Sequence, residues 1–125
     1  MGLLPGSIQF VSGSDCQIDL EVTALPQGVT VDAARLVVKH LATDADAAAI
    51  FTINIDGSDG KVSNTVATQS ALLSFIVNST NTALLDPTKN YFYFVKCRLS
   101  DGRQIRPPGA QGTVTCQVAG ITNAV

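Results

Sequence analysis

Three features of the sequence predict an all-β domain, a sandwich of about seven or eight short strands with one short helix. Apolar and polar residues alternate with period two, most cleanly from Cys16 to Thr23. Clusters of Gly, Pro, Asn, Asp and Ser separate the apolar runs at intervals of about 8–12 residues. The stretch Asn90–Leu99 is the longest and most aromatic run, and Ser100-Asp101-Gly102 turns it back toward a further apolar segment. A closed barrel is the runner-up architecture.

Ser7–Val11 reads as a short first strand. In the second, Cys16–Thr23, Cys16, Ile18, Leu20 and Val22 face inward, and Gln17, Asp19, Glu21 and Thr23 outward. Leu25-Pro26-Gln27-Gly28 is a turn. Ala33–Leu41 is a third strand whose alternation is too weak to assign its faces. Thr43–Ala49 fits one helical turn or a polar loop, with Thr43 or Asp44 as its cap. Ile50–Ile55 is strand-like, and Asp56-Gly57-Ser58-Asp59-Gly60 is a turn. Val62–Thr68 fits a short strand, and Ala71–Asn78 a strand rich in large apolar side chains. Ser79–Leu85 is a short helix capped by Ser79 or Thr80 and ended by Asp86-Pro87; Leu84 and Leu85 are expected to plug one end of the sandwich.

The Asn90–Val118 stretch contains a long strand, a hairpin, a Pro107-Pro108-Gly109 corner and a last strand. A two-residue Asp101-Gly102 turn would pair Cys97 with Arg106. A three-residue Ser100-Asp101-Gly102 loop, with Gly102 in the left-handed region, pairs Cys97 with Ile105 and Lys96 with Arg106. A one-residue slip flips every side chain, so the hydrophobic pattern selects the second register. One face then carries Tyr91, Tyr93, Val95, Cys97, Leu99 and Ile105. The other carries Phe92, Phe94, Lys96, Arg98 and Arg106.

The 125 residues fit one domain, 1–125, with 1–6 as an N-terminal arm and 119–125 as an extended C-terminal tail. Charged residues make up 14% of the chain, against about 25% in soluble domains. With a mean hydropathy of +0.27, this fits either a surface partly covered by a partner or one that is polar but uncharged. A net charge of -2 argues against the basic footprint of a nucleic-acid binder. Met1–Gly6 has neither the basic region nor the apolar run of a signal peptide. No apolar run approaches the roughly 20 residues of a membrane helix. The expected compartment is therefore cytosolic, unless the chain leaves within a particle.

Cys16, Cys97 and Cys116 fall on inward positions and read as small core residues. A Cys16–Cys97 bridge between the sheets is the alternative; a reducing cytosol disfavours it. These spacings, with His40 the single histidine, do not make a zinc site. His40 has no partner spaced for catalysis. Asp56–Gly60 lacks the downstream glutamate of a calcium loop, and Asp44 and Asp46 read as loop and cap residues. Asn78-Ser79-Thr80 matches a glycosylation sequon that would stay idle in a cytosol. No catalytic, cofactor or metal site is expected, so the chain reads as no enzyme. Phe92 and Phe94, on the face opposite the core tyrosines, need cover from the Ser79–Leu85 helix or from another subunit. Lys96, Arg98 and Arg106 share that face, with Arg103 at the hairpin tip, so half of the eight basic residues fall within eleven positions.

Several stretches, in order, resemble the small immunoglobulin-like domains of tailed bacteriophages, such as the N-terminal domain of baseplate upper proteins. They are Gln17–Val22, Ala33–Lys39, Asp44–Phe51, Thr82–Leu85, Tyr91-Phe92-Tyr93, Asp101-Gly102-Arg103 and Gly112–Thr115. The Asn64–Ser70 region and Pro107-Pro108 depart from that pattern. The resemblance implies an immunoglobulin-like sandwich and a structural part of a virion, made in the host cytoplasm. Its expected role is an assembly adaptor at the tail, baseplate or fibre attachment, in contact with other virion proteins and with copies of itself. A capsid decoration protein and a free carbohydrate- or protein-binding module are the alternatives. Phe92, Phe94, Lys96, Arg98, Arg103 and Arg106 are the expected partner interface; neither nucleic acid nor membrane is an expected partner.

Overall fold

The computed structural model describes residues 7–41, 43–106 and 111–117. Nine strands form among them: β1 (Ser7–Val11), β2 (Cys16–Val22), β3 (Val31–Lys39), β4 (Phe51–Asp56), β5 (Val62–Thr65), β6 (Ser70–Val77), β7 (Tyr91–Leu99), β8 (Gln104–Ile105) and β9 (Gln111–Gln117). One helical turn, α1, spans Ser79–Thr82, and 3-10 turns lie at Asp46–Ala48 and Val66–Thr68. The expected arm, tail and Pro107-Pro108-Gly109 corner fall outside the described residues.

The strands form two sheets. The larger has the order β1-β9-β7-β3-β4, and the smaller is β2-β6-β5. In the larger sheet β3 occupies one edge of β7 from Val31↔Leu99 to Lys39↔Phe92. β8 and β9 must therefore share the other edge, as two parts of one interrupted strand. β1 lies parallel to β9, while the other pairings are antiparallel. A three-strand sheet facing a sheet in which the third, fourth, seventh and last strands neighbour one another is the immunoglobulin-like sandwich. Tyr91 adds a hallmark: its hydroxyl accepts the Asp86 N–H at 2.8 Å, as a tyrosine corner does.

The inward residues of both sheets build one core. Leu36, Val38, Tyr93, Val95 and Val114 of the larger sheet and Leu73, Phe75 and Val77 of the smaller are fully buried. Burying such side chains contributes roughly 1.5–3 kcal/mol each. Phe10 and Phe51 belong to β1 and β4, at opposite ends of the larger sheet, yet their rings meet edge to face at 6.3 Å. The sheet coils strongly enough to bring its margins together over the core.

The hairpin register is the three-residue one. Cys97 pairs with Ile105 and Arg98 with Gln104, and Gly102 sits at φ +90. Leu99 N–H donates to the Arg103 carbonyl at 2.8 Å, and Gly102 N–H to the Leu99 carbonyl at 2.9 Å, which closes the loop.

Other expectations need correction. Asp19 points away from the core but is fully buried, and its Oδ2 has no hydrogen-bond partner among the described residues. The Ser79–Leu85 helix is a single turn. Asn78, not Ser79 or Thr80, caps it by accepting the Asn81 N–H at 2.9 Å. Its other bonds tie it to the β1–β2 turn: Ser79 N–H to Asp15 Oδ1 at 2.6 Å and Thr82 Oγ1 to the Ser14 carbonyl at 2.8 Å. Leu85 plugs the core at 2% exposure, but Leu84 is 55% exposed. Val62–Thr68 is a strand only to Thr65, because the chain then turns through Gln69 in the left-handed conformation.

No disulfide joins the three cysteines; Cys97 and Cys116 are buried and Cys16 is half-buried. β1 and β9 run parallel, β7 runs against β9, and the short β1–β2 turn reverses the chain, so β2 and β7 share a direction. Cys16 opens β2 and Cys97 lies near the close of β7, so they sit at opposite ends of the sandwich. That separation is incompatible with a bridge.

Candidate functional site

The outer face of the larger sheet is a grid whose columns are strands and whose rows are set by register. One row runs Gln111, Phe94, Val37, Thr52 across β9, β7, β3 and β4. The next contains Lys96, Arg35 and Asn54, and the third Gln104, Arg98, Ala33 and Asp56. Arg106 follows Ile105, one position beyond the last paired residue of β8, on the side of Lys96 away from Arg35. All of these except Gln111 and Thr52 line an open groove of about 730 Å³, together with Lys39.

Five cations therefore share the groove: Arg35, Lys39, Lys96, Arg98 and Arg106. Lys39 is committed. Its Nζ donates to the Asp44 carbonyl at 2.8 Å and stands 5.4 Å from the centre of the Phe94 ring, within cation–π range. This ammonium lies over Phe94, and α1 is bonded to the β1–β2 turn, so the helix, one of the two covers expected, is not what lies there. Arg35 Nε donates to Asn54 Oδ1 at 2.8 Å, which holds its guanidinium without neutralising it. Lys96, Arg98 and Arg106 are exposed and make no ion pair with a described carboxylate.

Asp56 is the one acidic residue lining the groove. Its carboxyl is held below the usual carboxylate range, first by the Ser58 hydroxyl and N–H, then by the Asp59 N–H and the more distant charge of Arg98. Oδ1 takes the Ser58 hydroxyl at 2.6 Å and the Ser58 N–H at 2.9 Å. The Asp56–Gly60 segment thus spends its oxygens on its own turn.

Of the six residues expected at an interface, Phe94, Lys96, Arg98 and Arg106 come together in the groove. Phe92 is half-buried on the same face, one row further along beside Lys39 and Thr113. Arg103 stands apart at the hairpin tip, where its Nε pairs with Asp101 Oδ2 at 2.7 Å. Arg35, Lys39 and Asn54 were missed because the faces of β3 could not be assigned. β3 is buried at four consecutive positions from Leu36 to Lys39, since Val37 and Lys39 are covered on the outer face too. That erases the alternation from which a face is read.

The other residues weighed for chemistry have structural employment. The His40 ring lies edge to face against Tyr91 at 5.7 Å. Asp44 Oδ2 accepts the Leu41 N–H at 3.1 Å. No group of three or more His, Cys, Asp or Glu suited to a metal occurs among the described residues. No helix among them is long and apolar enough to cross a membrane.

No family model matches the chain, and no curated protein matches it. Among solved structures it is similar to one from a study of multimeric cell-adhesive interactions of VGSC beta subunits, at 12% identity and a TM-score of 0.37 over 90% of each chain. A superposition that loose bears on neither fold nor function, and the fold assignment rests on the strand order above.

Proposed function

We propose that this chain is a non-catalytic assembly adaptor of a tailed-phage virion, seated at the tail, baseplate or fibre attachment and working through protein–protein contact. The observation that carries the contact is the groove across β8, β7, β3 and β4. There Lys96 lies directly opposite Arg35, with Arg98 and Arg106 beside them and no neutralising carboxylate but Asp56. Like charges directly opposite on a sheet destabilise the isolated domain. An acidic partner surface relieves that repulsion, with Phe94 as apolar anchor. The sequence resemblance to phage virion domains supplies the setting.

The test is Arg98→Glu with Arg106→Glu, after thermal melting shows the fold retained. Particles are sedimented and probed for the chain. The parent is expected in the particle fraction, with incorporation weakening as salt rises, and the folded double variant is expected to be lost from it. Normal incorporation of the variant would remove the groove from the interface. A parent chain absent from every particle fraction would remove the virion reading itself.

A further inference from the structure

The groove also specifies the shape of what it binds. We propose that it takes an extended acidic segment of a partner protein, laid along β7, with an apolar side chain followed by carboxylates at alternate positions. This rests on the protein-contact reading above and deepens it.

The outward residues of β7 are Phe92, Phe94, Lys96 and Arg98, each two positions from the next, and the last three line the groove. In a strand such residues recur on one face at about 6.6–6.8 Å. An extended segment has the same repeat. Its alternate side chains therefore meet Phe94, Lys96 and Arg98 in step: one apolar, two acidic. A helix would present neighbours one turn apart, at about 5.4 Å, and fall out of step within three contacts.

The flanking strands reinforce the middle position. Strands lie about 4.8 Å apart. Arg35 stands one strand from Lys96 on the β3 side, and Arg106 follows the end of β8 on the other. A carboxylate above Lys96 is thus within reach of three cations, two of them guanidiniums, a group that can donate two parallel hydrogen bonds to a carboxylate. The apolar position is prepared as well. Phe94 is half-buried, Val37 beside it is buried on the outer face, and the Lys39 ammonium stands over the ring.

The overall charge favours a protein over a nucleic acid. Five cations and one carboxylate line the groove, on a chain of net -2. The remaining surface is therefore strongly acidic, and the sequence pI is about 5.0. A nucleic-acid binder spreads its basic footprint over a domain with a pI above about 9. Here five of the eight basic residues lie in one groove, and polyanions that overrun it meet repulsion.

The experiment titrates the folded full chain with the blocked peptide Leu-Ser-Glu-Ser-Glu-Ser, following amide shifts by NMR. The same peptide with Lys in place of Glu and a single-stranded oligonucleotide of equal charge are run in parallel. The acidic peptide is expected to shift amides of β7, β3 and β8, and to bind at least tenfold more weakly to Lys96→Gln with Arg98→Gln. A peptide with both Glu residues adjacent is expected to bind several-fold more weakly than the alternating one. Tighter binding of the oligonucleotide, equal binding of the two acidic peptides, or no saturable binding at millimolar peptide would overturn the proposal. If the peptide fails while the charge-reversed groove still abolishes particle incorporation, the interface stands and only its partner's extended acidic shape falls.

Discussion

Asn64 closes a gap that the sheets leave open, and its removal should be felt far beyond an ordinary surface change. β4 pairs with β3 only as far as Ala33↔Asp56. Beyond it, Val31 turns its N–H and C=O away from β7 with no strand to meet them. Asn64, on β5 of the other sheet, supplies both partners: its Oδ1 accepts the Val31 N–H at 2.9 Å and its Nδ2 donates to the Val31 carbonyl at 3.0 Å. Val31 is 1% exposed with the Asn64 amide over it, so a water that replaces the amide must sit against an otherwise buried residue. Two such bonds contribute about 0.5–1.5 kcal/mol each, and unpaired buried groups cost more. Asn64→Ala should therefore destabilise by about 2–3 kcal/mol, a fall in Tm of roughly 6–12 °C for a domain of this size. Urea and thermal melts give the global number; exchange of the Val31 amide gives a local one and should speed up in the variant. Ser63→Ala, next door on the exposed face of the same strand, is the control and should stay within about 0.5 kcal/mol of the parent. If Asn64→Ala melts like Ser63→Ala and Val31 exchange is unchanged, water has taken the amide's place and the clamp is not structural.

Ala24 holds φ 56, a left-handed conformation that costs a residue with a Cβ about 1–2 kcal/mol. Ala24→Gly should raise Tm slightly, since the relief exceeds the roughly 0.4–1 kcal/mol of unfolded-state entropy that glycine adds; a lower Tm would contradict it. Asp19→Asn should also stabilise, because it replaces a fully buried acid, whose Oδ2 has no partner among the described residues, by an amide of the same shape; paired melts decide. Burial pushes the Cys97 thiol from 9.0 up to about 11. The folded state therefore holds this proton more tightly than the unfolded chain, so stability is full below pH 9 and falls as pH rises toward 11; Cys97→Ala should flatten that fall in pH-dependent urea melts. Native alkylation should label Cys16 first, and Cys97 and Cys116 only on unfolding; a native species two mass units light would reveal a disulfide and contradict this.

Period two, turn chemistry and the long aromatic run locate every strand through β9 to within a few residues, because a half-buried strand writes its burial into its sequence. The hairpin register is legible for the same reason: a slip at Gly102 would expose a whole face. The misplacements share another cause. Asp19 sits at an outward position and is buried although Gln17 and Glu21 on either side of it are exposed, and alternation reports which way a side chain points, not what lies above it. The 3-10 turn after Thr65 depends on Gln69, whose Nε2 donates to the Leu25 carbonyl at 2.9 Å across 44 residues. No local pattern encodes that contact.

The basic groove was half legible, and the missing half is instructive. Lys96, Arg98 and Arg106 declare themselves on an alternating hairpin. Arg35 lies 61 positions before Lys96 in the sequence, yet directly opposite it in the sheet. A sequence shows charges that are close along the chain; the β3–β7 register shows which are close in space. Once Arg35 joins the row, the like-charge contact at Lys96 is with a neighbour on a paired strand, next to a third cation at Arg106. No described carboxylate pairs with any of the three. A merely solvated face has no need to place cations opposite one another, since staggering them among the Thr, Ser and Asn residues in which this chain is rich would cost nothing in solubility. Their alignment is intelligible if the repulsion is relieved in the complex, where it favours the bound state over the free one.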